Sequence, residues 1–159
     1  MDNMLFYTHS GVRWLVVLLT LVAFIWLTYG MATRKPFDKR TQVIVSVWSG
    51  FVGLQWILGI LVFLVLGGFD LGYRWEHATI MTIALGVAHA YVPLKKRADN
   101  VRYQGIMASI MLVMILVFIG VSRLPQGWTM EVNAPGDSED VPAAEETPEP
   151  GASAEFIIS

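Results

Sequence analysis

Three histidines are the residues of this chain best suited to hold a cofactor: His9, His77 and His89. His9 and His77 each stand at the start of a long apolar stretch, and neutral imidazole is a good ligand for iron. A b-type haem needs no covalent link, only axial nitrogens from facing helices and an apolar slot. His9 and His77 are therefore candidate metal ligands, and haem b is the candidate cofactor.

Three arginines accompany these histidines at the same edge of the predicted bundle. Arg13 follows His9 by four residues and so shares its helix face one turn deeper, whereas Arg74 and Arg123 lie near the ends of other apolar stretches. Because guanidinium groups pair strongly with carboxylates, these arginines are candidate partners of haem propionates.

Aromatic and acidic residues at this edge allow two interpretations. Trp14 and Trp75 could pack against the edge of a bound ring. Histidine, arginine and tryptophan are, however, also common at a membrane boundary without any cofactor. Glu76, next to His77, could simply pair with one of the arginines there.

The third histidine lies at another depth. His89 follows His77 by 12 residues, which places it about 18 Å further along a helix and on another face. It could ligate a second or pentacoordinate haem, or donate a hydrogen bond to a quinone. The interpretation that we favour is a structural hydrogen bond, for example to Gln55 or Ser46, because ionisable groups within a span usually turn toward a partner.

The composition limits the class of protein. The chain has 159 residues, of which 55% are hydrophobic and 15% charged, and its mean hydropathy is +0.55. Soluble domains are about 25% charged. A soluble enzyme or a nucleic-acid-binding protein fits this composition poorly, and the lack of cysteine excludes disulfides, iron–sulfur clusters and thiol chemistry. The sequence therefore predicts an integral membrane protein.

Four uncharged stretches predict the spanning elements, because about 20 helical residues cross a bilayer. They cover residues 14–33, 41–69, 78–94 and 103–122. We expect an all-α, up-down-up-down four-helix membrane bundle over residues 1–130. Its predicted helices cover about residues 9–33, 41–66, 77–95 and 103–123. The second helix is expected to end near Leu66, since Gly67 and Gly68 disfavour helix.

Charge divides the chain and orients it. Residues 1–130 carry all 11 basic residues and five acidic ones, whereas residues 131–159 carry eight acidic residues and none that is basic. That Pro-rich segment predicts a disordered acidic tail. Eight basic residues fall in loops 34–40 and 95–102, which should face the cytoplasm. Both termini are then extracytoplasmic, and we expect a multi-pass protein of the bacterial inner membrane.

Two motifs resemble a known group of proteins. The segment His9-Ser10-Gly11-Val12-Arg13-Trp14 and the segment Trp75-Glu76-His77 are similar to small bacterial four-helix membrane proteins known as cytochrome b or cytochrome b-like. The resemblance covers roughly residues 8–125. It implies a haem-binding bundle in a respiratory membrane, with His9 and His77 as ligands and Arg13 beside them.

The second predicted helix departs from the pattern of that group. Its members often carry a histidine two residues before a glutamine, whereas here the glutamine is Gln55 and the matching residue is Gly53. His89 could replace the missing histidine, or the inner site could be lost.

Two functions follow from these observations. The first is a b-type cytochrome-like protein or subunit that relays electrons, with a quinol as a possible donor. The second is a cofactor-free accessory subunit of a larger respiratory or photosynthetic membrane complex. For both functions we expect the partners to be the lipid bilayer and other membrane subunits or further copies of the chain. We expect no binding to nucleic acid. The spans lack Asp and Glu, which disfavours a channel or transporter. A stand-alone enzyme is also less favoured.

Overall fold

The computed structural model describes residues 2–67 and 69–128, excepting the side chains of residues 2 and 3. These residues form helices and connecting turns, without strands. The helices are α1 (Asp2–Ala32), α2 (Lys39–Leu66), α3 (Gly72–Ala88), α4 (Tyr91–Leu94) and α5 (Asp99–Ser122). Met4–Ala32, Lys39–Leu66, Gly72–Leu94 and Asp99–Ser122 are long and apolar enough to cross a membrane. This confirms the predicted all-helical class with four long apolar helices; the predicted acidic tail lies outside the described residues.

The ends of α2 have clear local causes. Asp38 caps its N-terminus, because the Asp38 carboxylate accepts the backbone N–H of Thr41 at 2.8 Å. At the other end, Gly67 has a φ of 64°, a conformation that a side chain would make strained. The helix therefore ends at Leu66, as the sequence predicted.

The third span is divided where the sequence predicted a continuous helix. α3 ends at Ala88 and α4 begins at Tyr91, with His89 and Ala90 between them. Pro93 explains the break, because its ring has no N–H to give to the carbonyl of His89 and would clash with it in a regular helix. The N–H of Val92 instead bonds to that carbonyl at 3.1 Å, which is a tighter turn.

The helices pack as a closed ring of neighbours. α1 contacts α2 and α5, α3 also contacts α2 and α5, and α4 packs on α5. The closest packing surrounds Trp48, Leu27 and Ile110, each almost wholly buried. These residues come from the second part of α1 and the first parts of α2 and α5. The densest packing therefore occupies one end of the bundle.

Tryptophan–threonine hydrogen bonds connect neighbouring helices. The indole N–H of Trp48 donates to the Thr20 hydroxyl at 2.9 Å, joining α2 to α1. The Trp56 indole likewise donates to Thr82 at 3.0 Å, joining α2 to α3. Polar bonds of this kind hold apolar helices together where hydrocarbon supplies no competing partner.

The two basic loops meet at the densely packed end. Phe37 lies in the loop after α1, and its backbone N–H donates to the Asp99 carboxylate at 3.0 Å. The Arg102 guanidinium lies 3.8 Å from the centre of the Phe37 ring, and Tyr103 contacts the same ring. The loop before α2 and the start of α5 therefore lie at the same end of the bundle.

Candidate functional site

A cavity occupies the end of the bundle opposite the basic loops. α1, α2, α3 and α5 all contribute to its wall, together with residues 124 and 126 after α5. Most lining side chains are apolar, and among residues 2–67 and 69–128 no Asp or Glu lines the cavity. Its polar lining residues are His9, Ser10, Arg13, Thr20, Gln55, Tyr73, Arg74, His77 and Gln126. The cavity thus combines an apolar interior with two imidazoles and two cations.

His9 projects from the second turn of α1 across α2. A Cβ built on Gly59 would lie 3.0 Å from His9 Cε1, so the imidazole packs closely on α2 at this glycine. The Gln55 side-chain amide donates to the His9 backbone carbonyl at 3.0 Å and lies 3.4 Å from ring Nε2. These contacts hold the ring at the cavity wall.

His77 projects from α3 toward the end of α5. Its ring Nδ1 lies 2.7 Å from the backbone carbonyl oxygen of Gly120. A carbonyl can only accept, so Nδ1 carries the proton and donates it. In the neutral ring, Nε2 then keeps its lone pair. This is the tautomer in which histidine commonly serves as a metal ligand.

Arg13 is buried and connects α1 to the segment after α5. Its guanidinium donates to the carbonyls of Gly127 at 3.3 Å and Trp128 at 3.1 Å, and it lies 5.3 Å from the Trp128 ring centre. Residues 124 and 126 of this segment line the cavity. Arg13 thus holds the segment across one side of the cavity.

The other two candidate arginines have different surroundings. Arg74 lines the cavity and donates to the Gly67 carbonyl at the end of α2. Arg123 is exposed, does not line the cavity, and forms an ion pair with Glu76 at 3.8 Å. The interfacial pairing of Glu76 with an arginine is the simpler alternative named above. Arg123 therefore lacks the position expected of a residue that would contact a ligand in this cavity.

His89 lies away from the cavity, between α3 and α4. It is exposed, and its Nδ1 donates to the carbonyl of Leu85 at 2.9 Å. The favoured structural hydrogen bond is therefore present, but with a backbone carbonyl as partner. Gln55, one of the partners considered for His89, contacts His9 instead. A Cβ on Gly53 would lie 4.0 Å from His89 Cε1, so Gly53 and His89 are neighbours.

The two tryptophans expected at the edge of a bound ring do not line the cavity. Trp14 is 47% exposed and its ring faces Trp128, while Trp75 is 52% exposed and donates its indole N–H to the Phe69 carbonyl. Both indoles are therefore largely exposed and directed away from the cavity. These positions do not favour the expected packing of Trp14 and Trp75 against a bound ring.

Gln55 contacts His9, whereas the sequence suggested it as a partner of His89. A lone amide in an apolar span is itself a signal, because a polar group there requires a partner. Its partner could not be read from spacing, since His9 is 46 residues away on another helix.

The chemistry available in the cavity is that of a binding site. Its wall offers imidazole nitrogens, guanidinium groups, amides and hydroxyls, but no carboxylate for acid–base work. Across residues 2–67 and 69–128 no group of three or more His, Asp or Glu side chains gathers to hold a metal ion by itself. Two nitrogens nevertheless suffice as the axial ligands of a haem. Comparison of the chain with protein-family models, curated proteins and solved structures finds no match.

Proposed function

We propose that this chain is a membrane-embedded, b-type cytochrome-like protein or subunit that relays electrons. The observation that carries the proposal is that His9 and His77, from α1 and α3, line one apolar cavity. These two imidazoles would hold the iron. When bound, the haem would supply reversible one-electron chemistry. A quinol as donor, and assembly with other membrane subunits or further copies, stay predictions.

The residues of the cavity fit such a group. His77 keeps a lone pair on Nε2 because its Nδ1 is bonded to Gly120. The buried Nδ1 of His9 bonds to none of the described residues, so this ring has hydrogen-bonding capacity that the apoprotein does not use. Arg13 and Arg74 add positive charge to a wall without carboxylates, which suits an anionic substituent.

The chain's own residues would bind the group and shield it. The largely apolar wall lowers the local dielectric, and the segment held by Arg13 covers one side of the cavity. A low-dielectric site would limit reorganisation around a changing charge. The function of the protein moiety is therefore orientation and insulation.

The packing also supports an up-down-up-down path across the membrane, which we expect to be a bacterial inner membrane. His9 near the start of α1 meets Gly59 near the end of α2, and His77 near the start of α3 meets Gly120 near the end of α5. The basic loops gather at the opposite end. Positive residues favour the cytoplasmic side, so the cavity and both termini would be extracytoplasmic.

Spectroscopy of the purified full chain tests the cofactor. We expect a red protein in mild detergent, with a sharp band in its reduced-minus-oxidised spectrum. His9→Ala and His77→Ala should each abolish the low-spin signal of iron with two axial imidazoles. His89→Ala is the matched control and should retain it, because His89 lies outside the cavity. A colourless protein that takes up no added haemin would contradict the proposal and favour the cofactor-free accessory subunit.

Cysteine labelling tests the orientation separately. The natural chain has no cysteine, so a single cysteine introduced at an exposed position is the only thiol that can be labelled. We expect Asp70→Cys to react with a membrane-impermeant maleimide in intact spheroplasts. Lys96→Cys should react only after the membrane is permeabilised. The reverse pattern would refute the assigned orientation.

A further inference from the structure

We propose that Gln55 is a positioning residue for His9, accepting the Nδ1 proton of this ring when Nε2 is engaged by a ligand. The inference rests on the proposed function for the identity of that ligand. It concerns two buried polar atoms, His9 Nδ1 and Gln55 Oε1, neither of which bonds to any described residue.

The orientation of the Gln55 amide follows from its neighbours. Its nitrogen lies 3.0 Å from the His9 backbone carbonyl oxygen, which can only accept a hydrogen bond. The amide N–H groups must therefore face His9. The second N–H points to ring Nε2 at 3.4 Å, a long contact, and the amide oxygen is left to accept a bond from elsewhere.

The same contact sets the tautomer of His9. When Nε2 accepts from the Gln55 amide, the neutral ring carries its proton on Nδ1. That proton is buried and has no acceptor among residues 2–67 and 69–128. An unmet donor on His9 and an unmet acceptor on Gln55 thus belong to two side chains that already approach through the amide nitrogen and ring Nε2, and burying either unmet atom is unfavourable.

One rotation of the imidazole satisfies both atoms. If the ring turns so that Nδ1–H donates to Gln55 Oε1, Nε2 is released from the amide. The amide nitrogen keeps its bond to the His9 backbone carbonyl throughout. The result reproduces the arrangement of His77, whose Nδ1–H already donates to the Gly120 carbonyl. Histidine ligands of metals generally donate their second ring nitrogen in this way.

Nitrogen NMR of the apoprotein tests the contact without any cofactor. The chain has only three histidines, so ¹⁵N-histidine labelling gives signals that His→Ala variants can assign. We expect His9 to carry its proton on Nδ1 in the natural chain. Gln55→Leu should shift this tautomer toward Nε2–H, whereas Gln126→Leu should not. Gln126 is the matched control, an amide of the same cavity that belongs to another segment.

Haem dissociation provides the second measurement. Gln55→Leu should speed haemin release about 10–100-fold, the usual effect of losing the partner of a ligating histidine. Gln55→Glu retains the acceptor and should largely restore slow release, and it also covers the case in which Gln55→Leu folds poorly. Gln126→Leu should change the rate by less than about 3-fold. An unaltered His9 tautomer in Gln55→Leu, or equal release rates, would overturn the inference.

The two proposals fail in different ways. If the natural chain binds no haem, the proposed function fails while the apoprotein spectra still decide whether Gln55 sets the His9 tautomer. If haem binds through His9 and His77 but Gln55→Leu changes neither measurement, the function stands and the role of Gln55 does not.

Discussion

Substituting Gly59 should displace the His9 imidazole, and the size of the effect can be worked out from the packing. The built Cβ lies 3.0 Å from His9 Cε1 and 3.6 Å from Nδ1. Carbon atoms prefer separations of about 3.5–4.0 Å, so in Gly59→Ala the ring must give by a few tenths of an ångström. Gln55 holds the other side of His9, so the ring cannot move without weakening its bonds.

Two opposing terms set the stability of Gly59→Ala. Overpacking typically lowers the free energy of unfolding by about 1–3 kcal/mol. The change from glycine to alanine within a helix raises it by about 1 kcal/mol. The net loss should be between about 0 and 2 kcal/mol. Gly50, on the same helix, has nothing within 4 Å of a built Cβ. The free energy of unfolding of Gly50→Ala should therefore exceed that of the natural chain by up to about 1 kcal/mol. This variant is the matched control.

Reversible unfolding in mixed micelles measures the stability difference, and ¹⁵N-histidine spectra detect a change in the surroundings of the His9 ring. We expect Gly59→Ala to be less stable than Gly50→Ala by about 1–3 kcal/mol and to shift the His9 signals alone. Haemin release should also accelerate in Gly59→Ala. Equal stability of the two variants, with unshifted His9 signals, would refute the close packing of His9 on α2 at Gly59.

Three further substitutions test other parts of the fold. In Gly30→Ala the new Cβ would lie 2.8 Å from Tyr103 Cε1, so unfolding measurements should show a loss of about 1–3 kcal/mol that disappears in a Tyr103→Leu background. The N–H and hydroxyl of Thr41 donate to the Asp38 carboxylate and lower the pKa of Asp38 below its ordinary value of 3.8. This stabilisation is present above that value and is lost as the pH falls through the lowered pKa, so Asp38→Asn should flatten the acid side of a stability-against-pH curve. Gly127 has a φ of 52°, so Gly127→Ala should loosen the segment over the cavity and increase its cleavage in limited proteolysis.

The number and apolar character of the spans could be predicted because they depend only on where the sequence lacks charged residues. Long uncharged stretches identify four spans, and paired glycines mark the end of α2. Each long helix begins before its predicted start, because an uncharged stretch marks the apolar part of a helix and not its first turn. α5 begins at Asp99 rather than near 103, since a first turn outside hydrocarbon accommodates charge. The break before α4 depends on Pro93, whose effect on the carbonyl of His89 is local and was overlooked.

The contacts between side chains of different helices could not be predicted in the same way. Apolar residues surround each span, so periodicity does not define an inward face. The depth of His9 and His77 in the bundle could be inferred from their positions along the sequence. The rotation of each helix about its own axis could not. That rotation turns Trp14 and Trp75 outward, and it places Gln55 against His9.

The uneven packing of the bundle explains how a cavity can persist between helices in lipid. Hydrocarbon drives apolar helices together only weakly, so close packing and polar bonds must fix their positions. Here the closest packing is concentrated at one end, around Trp48 and where Phe37 links the loop before α2 to α5. At the other end, polar bonds join the helices: the Gln55 side-chain amide donates to the His9 backbone carbonyl, and His77 donates to the Gly120 carbonyl. The dense end therefore fixes the helices, which leaves the open end to carry a ligand whose binding need not drive the fold.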